Sequence, residues 1–302
     1  MPPAGYRLRE DIFLFHWVAK VTSAPSSILD AEEYVEQAFL YKTLAERIIS
    51  GEPVQDLLFQ IREEILATTK LPMAIDFISS ELNHTGVMAS AMRKLPHYFN
   101  PFQTYLISEA ESDTGRFDLR TALAILEKDA AGKAESRSPV ATFFFQFESL
   151  CRNSLQYDYG LTAMADDPVY DESWKKWILE MRRKVGTVAL ADLVYVHSEH
   201  YLHQQTRMGH ESVEVAEPLL FGSREGKIAL ANRRKDALFF FSALQRQLKY
   251  PPVPRVEKTE DSAELIPRLQ RMLERIEVRV KLLEEEQRDK GIDLSKFYQK
   301  PD

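Results

Sequence analysis

Four of the chain's seven histidines, His197, His200, His203 and His210, fall within fourteen residues. On one helix His197, His200 and His203 would stand on successive turns. Together with Glu199 they could ligate zinc or another borderline divalent ion. The spacing differs from the metalloprotease pattern, in which two histidines four apart flank a glutamate. The plainer reading is a polar stripe opposite Leu190, Leu193, Val194 and Tyr201 that titrates near neutral pH. The acids Glu109, Glu111, Asp113 and Asp118 could hold a hard cation through their carboxylates, although acids at a helix start also answer the helix dipole. Asp166 and Asp167, with Asp171 and Glu172, are acids of the kind used in general acid–base chemistry. They fall in a loop and at a helix start, where capping is the ordinary use.

A basic run carries Arg224, Lys227, Arg233, Arg234 and Lys235, and between positions 224 and 258 nine Lys/Arg stand against three acids. This segment is the candidate site for an anionic partner. Phe239, Phe240 and Phe241 follow it, but at helical spacing they point to all sides, so packing claims them before base stacking does. Cys151 lies in an aromatic stretch beside Leu150 and reads as buried and inert. No residue is assigned a catalytic role, and a divalent cation is the only cofactor these residues suggest.

The elements that must position these groups are helices. The 302 residues are 44% hydrophobic and 28% charged, a globular balance with ample material for a core. One cysteine excludes an intrachain disulfide, and eleven glycines make glycine-rich phosphate loops unexpected. The net charge of −7 argues against the whole chain as a nucleic-acid binder. The longest apolar runs fall short of the ~20 residues that cross a bilayer, and Met1 to Arg7 lacks the apolar run of a secretory leader. No integral membrane span and a cytoplasmic location are therefore expected.

Apolar residues recur at three-four spacing from Asp30 to Ser50, from Val54 to Leu66, and from Pro72 to Leu82. Further helices are expected from Val87 to about Lys94, after Pro101, and from about Asp118 to Ala130. These describe a six-helix antiparallel bundle over 1–130. The small, polar segment 131–139 reads as a linker, and 140–302 as a second helical domain. Within that second domain helices are expected from Val140 to Leu155, from Asp171 to Gly186, from Thr187 to about Gln205 and from Asp236 to Tyr250. Gly209 to Gly226 reads as irregular or partly extended, and Ser262 to Lys290 as one long charged helix. The fold class is all-α.

Four short stretches give this pattern a family likeness: Ser50-Gly51-Glu52-Pro53-Val54-Gln55-Asp56-Leu57, Gly86-Val87-Met88-Ala89-Ser90-Ala91-Met92, Leu95-Pro96-His97-Tyr98-Phe99-Asn100-Pro101-Phe102, and Glu111-Ser112-Asp113-Thr114-Gly115-Arg116-Phe117-Asp118. In this order they make residues 39–130 resemble the cytoplasmic domain of the type II secretion and type IV pilus inner-membrane platform family. Glu111 lies four residues before Gly115, one more than the family pattern. The family's transmembrane helices and second domain copy have no counterpart in this sequence. The resemblance implies a six-helix, dimer-prone interaction module without catalysis, and a cation near the acidic turn.

The reading that results is a non-enzymatic helical interaction or scaffold protein with a protein partner, pairing as a homodimer and related to secretion or pilus platforms. Two alternatives stay open. One is a metal-dependent enzyme built on His197, His200 and His203; the other is an anion- or nucleic-acid-binding module centred on 224–258.

Overall fold

A computed structural model describes residues 28–112, 117–208 and 218–256, and over these the chain is all-α, with thirteen α-helices and no strand. They are α1 (Ala31–Arg47), α2 (Val54–Glu64), α3 (Leu71–Thr85), α4 (Met88–Arg93), α5 (Pro101–Ala110), α6 (Leu119–Ala134) and α7 (Pro139–Arg152). The chain continues through α8 (Tyr157–Ala165), α9 (Glu172–Lys184), α10 (Leu190–Val196), α11 (Glu199–Arg207), α12 (Ser223–Asn232) and α13 (Ala237–Leu248). None of the described helices is long and apolar enough to cross a membrane.

The helix boundaries follow from local chemistry. Asn100 and Gln103 form a reciprocal capping box at the start of α5, with Pro101 at the first helical position. Asp118, Ser138 and Asp171 each accept a backbone N–H from the first turn of α6, α7 and α9. Gly51 and Gly86 close the turns after α1 and α3 at φ +78° and +72°, a left-handed conformation that glycine adopts without a Cβ penalty.

The core is built around α7, which is buried on all sides from Ala141 to Leu150. Phe143, Phe144 and Phe145 are each fully buried, and the buried polar groups of Gln146 and Glu148 are hydrogen-bonded. Helices α6, α8 and α13 pack around α7. Trp174, Trp177 and Phe221 stack edge-on and tilted against Phe143 at centroid separations of 5.1 to 6.5 Å. The N-terminal helices join the same core through α1, which lies along α6.

Several expectations shift. The boundary expected at 131–139 falls on the last turn of α6, which runs to Ala134, and on a short turn into α7. Residues on both sides share one apolar cluster and one compact unit that continues to Val256. The single helix expected from Thr187 to Gln205 is two, α10 and α11, because His197 and Ser198 leave helical geometry and the Ser198 side chain caps α11. The end of the expected irregular stretch, from Ser223, is helical as α12. Helix α8 had no counterpart among the expected helices. The expected long helix from Ser262 to Lys290 lies outside the described residues.

Candidate functional site

Helices α5 and α8 pack together beside the end of α4 and line a groove of about 700 Å3 along their length. Its floor is apolar and aromatic, from Pro96, Phe99, Pro101 and Tyr105 on one side to Tyr159 and Ala163 on the other. Hydroxyls of Thr104, Ser108 and Thr162 and the charged groups of Arg93, Glu109 and Asp166 complete the lining. A pocket of this volume and composition is of the kind that holds a drug-sized ligand or a few side chains of a partner.

Each wall is fixed by a specific contact. The Tyr105 hydroxyl donates to the Gln156 carbonyl at 2.9 Å and ties α5 to the start of α8. Gly160 lets α8 approach closely, since a Cβ there would stand 2.7 Å from a Leu150 methyl and 3.2 Å from the Tyr105 ring. Arg182 of α9 donates to the Thr162 hydroxyl at 2.7 Å, and Lys175 pairs with Asp166 at 2.8 Å. Glu109, half-buried in the last turn of α5, has its carboxyl pushed above the ordinary range by burial.

Behind the groove lies a buried ionic pin. Lys133 Nζ sits 2.8 Å from Asp129 Oδ2 and 2.6 Å from Asp167 Oδ2, with all three side chains almost fully buried. The Asp129 contact is an ion pair without hydrogen-bond alignment. Gln146 of α7 donates to both carboxylates, at 3.1 and 3.0 Å, and accepts from the Tyr170 hydroxyl at 2.8 Å. Burial acts to lower the Lys133 pKa, but the two carboxylates outweigh it and hold the ammonium above its ordinary range. Burial, followed by Asp167 and Asp129, pushes the Tyr170 phenol well up. The pin joins α6, α7 and the turn between α8 and α9, so Asp166 faces the groove while its neighbour Asp167 faces the pin.

The residues singled out in the sequence are dispersed. His197 is buried at the end of α10, its Nδ1 3.1 Å from the Pro218 carbonyl and its ring edge-on to Trp177. His200 and His203 belong to α11. The His200 pKa is lowered by partial burial and then by its charged neighbours, Lys227 first. Glu199 accepts the Ser223 N–H at 3.1 Å, at the start of α12. His210 and Asp113 lie outside the described residues. Glu111 accepts the N–H groups of Met88 and Ala89 at 2.6 and 2.9 Å and so caps α4, while Asp118 caps α6. Among the described residues no three His, Cys, Asp or Glu side chains form a group able to hold a metal ion.

The basic run is split between uses. Arg233 pairs with Asp192 and lies over the Tyr195 ring, 5.4 Å from its centroid. Arg224, Lys227, Arg234 and Lys235 are exposed, with Arg234 at φ +63° in the turn between α12 and α13. Phe240 and Phe241 enter the core while Phe239 stays 66% exposed. Cys151 is half-buried, and burial pushes its thiol up to about 11.

Of the residues singled out for chemistry, Glu109 and Asp166 line the groove, and Pro96, Phe99 and Pro101 of its lining belong to a stretch that carries the family likeness. The groove's other wall, α8, begins after a left-handed Ser154 at φ +53° and carries a glycine in its middle, signals that read as loop. No family model, curated protein or solved structure matches the chain.

Proposed function

We propose that the protein is a non-enzymatic helical interaction protein that receives a segment of a partner protein in the groove between α5 and α8. The groove itself carries this reading: an apolar, aromatic cleft of about 700 Å3 held open by fixed contacts on both walls. Acids considered for chemistry support it, because Glu111, Asp118 and Asp171 serve as helix caps and Asp167 joins Lys133 and Asp129 in an internal pin.

The resemblance of residues 39–130 to secretion and pilus platform domains extends the proposal to a place in such an assembly, on its cytoplasmic side and with two copies pairing. Gly51 and Gly86 at the helix ends, and Phe99, Phe102 and Tyr105 in the core, suit that resemblance.

The test is site-directed photo-crosslinking in cells of origin. A benzophenone amino acid replaces Tyr159, 65% exposed at the groove, or Phe239, 66% exposed on α13. The reading expects a defined crosslinked polypeptide from position 159, lost when Ala163→Trp fills the groove. No product at 159, or a product that survives Ala163→Trp, refutes it.

A further inference from the structure

The groove is lined by more acid than base. Glu109 stands in the last turn of α5, and Asp166 is the residue at which α8 ends. These two carboxylates share the lining with one cation, Arg93, exposed at the end of α4. The charged side chains of the lining sum to −1.

The two acids are not equivalent. Asp166 is already offset by Lys175 at 2.8 Å. Glu109 makes no side-chain hydrogen bond or ion pair with any described residue, and its surroundings penalise the bare carboxylate. A cation brought in by a ligand would relieve that penalty and gain from partial desolvation. Aromatic faces line the same cleft in Tyr105 and Tyr159, and these attract cations as well as apolar surface.

We infer that the occupant is a partner-protein segment that lays an apolar or aromatic side chain on Tyr105, Tyr159 and Ala163 and presents a lysine or arginine to Glu109. The inference rests on the groove reading above and adds the chemistry of the ligand. An acidic segment would meet the unpaired Glu109 carboxylate, Asp166 being already offset by Lys175. An uncharged one would leave the Glu109 carboxyl as it is.

Three matched peptides test this on the full chain: acetyl-Leu-Phe-Lys-amide, acetyl-Leu-Phe-Gln-amide and acetyl-Leu-Phe-Glu-amide, titrated calorimetrically into the parent protein, Glu109→Gln and Ala163→Trp. Circular dichroism and thermal melting establish that both variants remain folded. The expected result is that the lysine peptide binds roughly ten-fold more tightly than the other two, the increment typical of a partly buried charged hydrogen bond. That preference disappears in Glu109→Gln, and all binding disappears in Ala163→Trp.

Tighter binding of the glutamine or glutamate peptide, or a lysine preference that survives Glu109→Gln, overturns the ligand chemistry and leaves the groove as a binding site. No binding by any of the three, or binding unaffected by Ala163→Trp, overturns the groove reading together with this inference.

Discussion

Removing the Lys133 ammonium leaves the buried Asp129 and Asp167 carboxylates without their shared cation. Breaking a buried pair in this way costs about 3–5 kcal/mol. Lys133→Met is expected to lose that much in urea unfolding, and adding Asp129→Asn and Asp167→Asn to it is expected to recover a large part. The Cys151 thiol offers a pH-dependent counterpart. Its pKa rises from the ordinary 9.0 to about 11, through burial first, although a Tyr157 hydrogen bond opposes the rise. A thiol raised in the fold contributes stability that is full below the unfolded value and fades as pH climbs toward 11. At pH 7.5 iodoacetamide should alkylate the folded chain about 100-fold more slowly than the unfolded one, in proportion to the thiolate present. Equal rates would show the thiol to be unprotected. The pin was not legible in advance: the expected helix ends near Ala130 and leaves Lys133 in the expected linker, whereas in the structure Asp129 and Lys133 are four apart on one helix. Its third member, Asp167, lies 34 residues from Lys133 and reads locally as a turn acid.

Helix α4 has only six residues and takes its N-terminal cap from outside its own sequence. Glu111, at the end of α5, accepts the N–H groups of Met88 and Ala89. Glu111→Ala should therefore destabilise the protein by about 1–2 kcal/mol, the range of a lost cap with its dipole interaction. Thermal melting checks this, and a Glu111→Ala variant as stable as the parent would detach that carboxylate from the fold. The reason α5 and α6 were legible while α8 was not lies in the same kind of detail. Asn100-Pro101 with Gln103, and Asp118 with the apolar run after it, are start signals carried within the helix's own sequence. Helix α8 begins at Tyr157 with no side-chain cap, and depends on α5, α7 and α9 for its support. The break between α10 and α11 likewise depends on Phe221 and Leu220, whose N–H groups both donate to the His197 carbonyl.

One apolar cluster takes in residues from Leu40 to Ala130 and from Ala141 to Val253. Arg137 helps to close the turn between α6 and α7, donating to the Lys128 carbonyl at 3.0 Å and lying over the Phe145 ring. Further links cross the sequence at long range: Lys128 donates to the Pro252 carbonyl, and Tyr250 to the buried Glu148 carboxylate. Shared burial of this extent couples the unfolding of its parts. Denaturant unfolding through Val256 is expected to be one transition, with tryptophan fluorescence from α9 and far-ultraviolet dichroism coincident. Separate midpoints would divide the described region into independent units.

The all-α class and most helix starts follow from the sequence alone, because periodicity, caps and left-handed glycines act over a few residues. The tertiary structure decided what the charged residues are for. A carboxylate looks the same in sequence whether it caps a helix thirty residues away, pins a buried lysine or lines a groove. Only packing sets its distance from a partner and from water, and those two distances decide its chemistry. Glu109, Glu111 and Asp118 stand close together in the chain, yet one faces the groove and the other two hold helix ends.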